Sequence, residues 1–233
     1  MKIRCVWEHN GNDSILYSNN FVGAYTRGET KDIALQKMAK EIESYLEWKG
    51  EAVPDSLETV IEQEKESALA ISDADSDVLF QEEKNPLSKS EYEALKALAL
   101  KSAQDFQKLY EAIPDKNRSC LLARKTFYGQ VPRTASEMYE HTKNVNDYYF
   151  GEIGVVTDHE GTIVECRRRG FAELEIQPDF LKNTVYLGSY DEEWSLRKVL
   201  RRFIWHDRIH AKAMYRMAVR TFGGEIPNVF RFV

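Results

Sequence analysis

The chain has 233 residues and a mass of 27.0 kDa, enough for one large domain or two ordinary ones. Apolar residues make up 42% and aromatics 12%, which supports a packed core, and no apolar run approaches the roughly 20 residues of a membrane helix. Residues 1–80 carry eight Lys and Arg against sixteen Asp and Glu while the remainder carries a net +2, for −6 in all, so the acidic N-terminal part is a poor partner for nucleic-acid phosphates.

The start, Met1-Lys2-Ile3-Arg4-Cys5, turns at once into alternating sequence and has no signal-peptide apolar stretch, so a cytoplasmic location is expected. Cys5, Cys120 and Cys166 are odd in number, far apart and without a CxxC, which reads as reduced thiols.

Residues 2–8 and 13–18 read as strands flanking Asn10-Gly11, a hairpin dipeptide, and a third short strand is expected around Phe21 to Thr26. Thr30 can cap a helix from Lys31 to Lys49 that carries Ala34, Leu35, Met38, Ile42, Tyr45 and Leu46 on one face, with Gly50 and Pro54 to end it. Thr59 to Glu64 and Ala68 to Phe80 have strand-like patches that would complete a small sheet, and residues 81–87 read as a linker. Beyond it the pattern is helical. Ser88 to Glu91 has the capping-box form, followed by a stripe of Leu95, Leu98, Ser102, Phe106, Leu109 and Ile113. Thr134 to Glu137 is a second box, opening a helix to Phe150; Gly161 to Gln177 gives a third helix of weaker pattern. The fourth runs from Trp194-Ser195 to Phe222, stopped by Gly223-Gly224. The fold class is thus α+β: a small α/β domain over 1–80, a linker over 81–87, and an all-α four-helix bundle over 88–233.

His206 and His210 lie four apart on the last helix, sharing a face with Val199, Phe203, Met214 and Met217. His141 falls on the second bundle helix, on the stripe of Met138, Val145 and Tyr148, and is expected to point inward. Three neutral imidazoles with one position left open form the usual donor set of a catalytic zinc or a similar divalent ion. The competing reading is a hydrogen-bonded polar core, because three buried imidazoles without partners would cost about 1–3 kcal/mol each. His9 and His159 sit among polar residues and read as surface histidines.

Other constellations are weaker. His206-Asp207-Arg208-Ile209-His210 differs from the HExxH of zinc peptidases by an Asp one methylene shorter, with no HxxGxxH extension. Asp73 to Asp77 alternates carboxylates like a calcium loop, but Val78 and Lys84 replace the glycine and glutamate such a loop needs, so it reads as a solvated acidic turn. Arg167 to Arg169, and the set Arg197, Lys198, Arg201 and Arg202, read as solvated helix faces, the alternative being an anion site at the metal pocket.

With His141 on one helix, an HxxxH pair on the last, and Trp194-Ser195-Leu196-Arg197-Lys198-Val199-Leu200 before that pair, residues 88 to 222 resemble the DinB/YfiT-like superfamily. The resemblance implies an up-down-down-up bundle, a long crossover between its second and third helices, and His141, His206 and His210 as ligands to zinc or nickel. Asp207 stands where glutamate is common in that family, and the stretch from Gly151 to Tyr190 offers no residue to align with a substrate site. Members of known activity are transferases or isomerases that use bacillithiol, mycothiol or glutathione, so the resemblance implies a low-molecular-weight thiol cosubstrate and an electrophile, and a dimer. Phe21 to Thr30, the helix after it and Gly50 to Pro54 are similar to a HicB-type antitoxin domain, implying a module over 1–80 that binds a protein partner or dimerises. Two functional expectations follow: a cytoplasmic metal-dependent enzyme, a thiol transferase or hydrolase, or a non-catalytic interaction protein whose histidines form a structural metal site or polar core.

Overall fold

The computed structural model describes residues 1–126 and 129–233. The chain opens with three antiparallel strands, β1 (Lys2–His9), β2 (Ser14–Ser18) and β3 (Tyr25–Gly28), followed by helix α1 (Lys31–Lys49) and strand β4 (Glu58–Glu66). β4 returns parallel to β1, giving the sheet order β3-β2-β1-β4. Thr30 caps α1 by accepting from the Ile33 amide, and Gly50 ends it in the left-handed region at φ 76°, as the sequence predicts. The third strand begins later than expected. Phe21 to Ala24 form a turn closed by the Ala24 amide donating to the Phe21 carbonyl, and that turn carries Gly23 onto the bundle.

Both faces of the sheet are covered, so β2 is buried along its whole length rather than alternating. Ile3, Cys5 and Leu16 pack in the core that α1 shares, while Val6, Ile15, Tyr17 and Tyr25 pack on Ile71, Val78, Phe80 and Trp205. Residues 68–80, expected to add a strand, form a short 3-10 turn at Ile71–Asp73 and then a cover for the second face. Their apolar side chains point into the sheet instead of pairing at its edge.

The bundle has four helices, α2 (Lys89–Ala112), α3 (Ala135–Gly151), α4 (Ile163–Ile176) and α5 (Leu196–Phe222). Reciprocal capping boxes open α2, α3 and α4 at Ser88, Thr134 and Thr162, and Ser195 caps α5. α2 and α3 each pack on both α4 and α5. The α3–α4 connection, residues 152–162, is shorter than those before α3 and after α4, so the long crossover implied between the second and third bundle helices is not present there. No helix among the described residues is long and apolar enough to cross a membrane.

The small sheet and the bundle share one hydrophobic core that runs from Ile3 and Met38 through Phe106 and Phe203. The 81–87 segment, expected as a linker, is packed: Gln81–Lys84 is a 3-10 helix, and Glu83 and Leu87 are buried. The first turns of α5, expected to be solvated, grip this region. Arg201 donates from Nη2 to Glu83 Oε2 at 3.0 Å and to the Val78 carbonyl at 2.9 Å. Lys198 Nζ reaches the Asp77 carbonyl at 2.8 Å and Glu192 Oε1 at 2.8 Å, and Arg202 Nη1 reaches the Ser76 carbonyl at 3.1 Å. Burial lowers the Lys198 ammonium to about 8 despite Glu192. The acidic turn is also engaged, Asp73 with Arg124 and Asp77 with Lys65.

Gly23 fixes how closely the sheet meets α5. Its φ is +91°, and a Cβ there would stand 2.3 Å from Ile204 Cγ2, so any side chain meets both backbone strain and a clash. Gly23→Val is expected to lower unfolding free energy by about 1–3 kcal/mol, measured by urea denaturation; an unchanged midpoint would contradict this docking.

Candidate metal centre

α3 and α5 pack side by side and bring His141, His206 and His210 together. The three ring centroids lie 4.4 to 5.1 Å apart. One nitrogen from each ring falls within 4.8 Å of the other two, close enough for a single ion to engage all three. Among the described residues this is the one group of His, Cys, Asp and Glu donors so arranged.

The three rings differ in exposure. His206 is buried, His210 half-buried and His141 exposed. This corrects the expectation that His141 points inward with Tyr148, which is 38% exposed. The buried face of α3 is instead centred on Met138, Tyr139, Thr142, Asn146, Tyr149 and Phe150. Asn146 holds that rotation, its Nδ2 donating to the carbonyls of Asp158 and Cys166, while the buried Thr142 hydroxyl is satisfied within the helix at the Met138 carbonyl. The cluster therefore sits at the rim of the bundle, with His206 at its floor and His141 at its mouth. Tyr149 presents an edge to His206 at 6.0 Å and to Phe203 at 5.4 Å, forming a dry wall.

Burial, the neighbouring His210 and His141, and then Arg202 and Arg167 hold the His206 imidazole well below its ordinary value. Burial followed by His141 brings His210 down to about 3, and desolvation of the inner part of its ring lowers His141 in the same direction. All three are therefore neutral at pH 7, with lone pairs free to bind a metal. His206 Nδ1 is buried without a hydrogen-bond partner. A buried ring nitrogen without a protein partner, on a residue that stands beside two further imidazoles, is compatible with a metal ligand.

Asp207 has no part in this group. Its side chain leaves α5 on the other side, fully buried, where it meets Arg167 of α4 at 3.2 and 3.3 Å and accepts from Ser102 of α2 at 2.6 Å. Burial raises its carboxyl, with Arg167 and Ser102 opposing. The position that carries the general base in an HExxH helix here ties three helices together. Arg167, expected on a solvated face, is wholly buried with its guanidinium 3.7 Å from the Phe203 ring centroid. The sequence held a signal for it, since Arg167 falls at helical spacing with the buried Ile163, Gly170, Phe171 and Leu174. His9 stacks on Trp7, and His159 pairs with Asp147; both lie away from the triad. Cys5 and Cys166 are buried free thiols and Cys120 an exposed one.

No protein-family model, curated protein or solved structure matches this chain.

Two outcomes test this geometry. Asp207→Ala leaves Arg167 buried and unpaired, and the expected loss is about 3–5 kcal/mol of unfolding free energy with no change in the number of metal ions taken up per chain; a near-neutral effect on stability would contradict the hub. In metal-free protein, His206 and His210 take up protons in the unfolded chain near pH 6.5 but not in the folded one, so their contribution to stability falls as pH drops below about 6.5. Between pH 7.5 and 5.5 the denaturation midpoint should change less favourably in the wild type than in His206→Gln; equal slopes would contradict neutral buried imidazoles.

Proposed function

We propose that the protein is a divalent-metal-dependent enzyme related to the DinB-like superfamily, a thiol-dependent transferase or a hydrolase, with His141, His206 and His210 as ligands to zinc or nickel. The observation that carries this reading is the convergence of three neutral imidazoles, one with an orphaned buried nitrogen, at a point that still meets solvent through His141. When bound there, such an ion supplies the Lewis acidity that stabilises the thiolate or hydroxide form of a small nucleophile near neutral pH.

The chain's own residues contribute the rest. His206 and His210 are set one turn apart on a helix whose caps and buried ion pairs hold its rotation. Tyr149 and Phe203 keep water from the inner side of the cluster, while the exposed His141 side leaves the approach through which a low-molecular-weight thiol and an electrophile would enter. Among the described residues no carboxylate joins the three imidazoles, and Asp207 is committed elsewhere, which favours a nucleophile activated by charge over one activated by a neighbouring general base. For residues 1–80, the four-stranded sheet with a single helix supports the HicB-like reading. Both of its faces are already covered, so a protein partner there would have to use the sheet's edges or the outer side of α1.

Protein purified without an affinity tag is expected to hold about one zinc or nickel per chain by elemental analysis, and His206→Ala and His141→Ala are each expected to lose it. Full retention in either variant, or failure to take up metal on reconstitution, would overturn the ligand set and favour the non-catalytic interaction protein.

A further inference from the structure

On the side of α5 facing α1, away from the histidines, a groove of about 410 Å³ runs between the small sheet and the bundle. Its lining is strongly basic: Arg27 from β3, Lys37 and Lys40 from α1, and Lys212 and Arg216 from α5, against one acidic side chain, Glu41, with Val233 also at its wall. That acidic side chain is already taken. Glu41, only 4% exposed, accepts from the buried Arg208 at 2.7 Å and from Lys212 at 3.4 Å. Arg27 is largely engaged, its Nη2 meeting Asp13 at 3.3 Å and donating to the carbonyls of Ile71 and Ser72, with only Nε buried and unpartnered. Among the described residues, Lys37, Lys40 and Arg216 have no carboxylate at salt-bridge distance.

This concentration of charge runs against the rest of the molecule. Residues 1–80 hold eight cations in all and a net −8, yet three of the eight, Arg27, Lys37 and Lys40, converge on this groove. Like charges brought together around a concave surface raise its potential and are unfavourable until an anion neutralises them. The volume lies within the range of small-molecule sites, roughly 300–1,000 Å³. Mixed lysine and arginine donors on facing elements match closely spaced phosphoryl oxygens, lysine as a point charge and arginine as a fork.

We propose that this groove is a binding site for a small phosphate-bearing ligand with at least two negative charges, separate from the histidine cluster. The ligand would bridge α1 and α5, so the site requires the sheet and bundle to be docked as they are.

The test is calorimetric titration of the intact protein with inorganic pyrophosphate at low ionic strength. Saturable binding of one pyrophosphate per chain is expected, weakened about tenfold or more, roughly 1.4 kcal/mol, by Lys40→Gln with Arg216→Gln. The control pair Lys89→Gln with Arg168→Gln changes net charge equally on α2 and α4, and is expected to bind as wild type. His206→Ala is titrated in parallel because pyrophosphate also chelates metals; binding is expected to persist there, which keeps failure of the groove distinct from failure of the metal site. Absence of saturable binding, equal weakening in the control pair, loss only in His206→Ala, or citrate binding as tightly as pyrophosphate would each overturn the assignment. Far-UV circular dichroism of every variant checks that the fold is kept; the four charge substitutions alter only exposed side chains.

Discussion

The structure depends on a single long helix that is buried on nearly every side and must find a partner for each charge it buries. α5 meets the 81–84 segment through Arg201, α1 through Arg208, the other bundle helices through Asp207, and the loop before its own start through Lys198. Each of these has an opposite charge facing it: Glu83, Glu41, Arg167 and Glu192. Placing such groups in a low-dielectric interior is costly unless they are paired with good geometry, so the pairs specify one rotation and one height for the helix. That fixed placement is what puts His206 and His210 opposite His141.

Against this background the imidazoles stand out chemically. Each buried charge of α5 faces an opposite charge, although Nη1 of Arg201 and Nε and Nη1 of Arg208 stay unpartnered, and His206 Nδ1 is buried without any protein partner. A neutral imidazole carries no charge to balance, yet its buried nitrogen needs a donor, an acceptor or a metal. Two more imidazoles stand beside it, both held neutral and so able to share an ion with it. The basic groove lies across the same helix, where Glu41 is committed to Arg208 and Lys212 and, among the described residues, Lys37, Lys40 and Arg216 have no carboxylate at salt-bridge distance. Both inferred sites thus arise where the pairing along α5 is left incomplete.

Much of this was legible in the sequence, for reasons tied to particular residues. Caps and punctuation are local, so α1 between Thr30 and Gly50, and α5 between Ser195 and Gly223, fall where expected. The histidine group was also legible, because spacing of four on one helix is fixed geometry and His141 needed only to lie on a neighbouring helix. What was hidden depends on tertiary partners. Arg167, Lys198 and Arg201 look like solvated charges until Asp207, Glu192 and Glu83 are placed opposite them. The rotation of α3 was missed because Thr142 and Asn146 look polar, though both are buried and bonded to backbone carbonyls. The cover formed by residues 68–80 was read as strand because its apolar content is real, and only the sheet's second face explains where that content goes.

The central claim is that His141, His206 and His210 jointly hold one divalent ion at an open site. X-ray absorption at the metal edge of the purified protein tests it most directly. The account requires three imidazole nitrogens at about 2.0–2.1 Å with at least one further light-atom ligand, the histidine signature dropping to two nitrogens in His141→Ala if any metal remains. A sulfur shell, a site with fewer than two imidazoles in the wild type, or a spectrum unchanged in His141→Ala would contradict it.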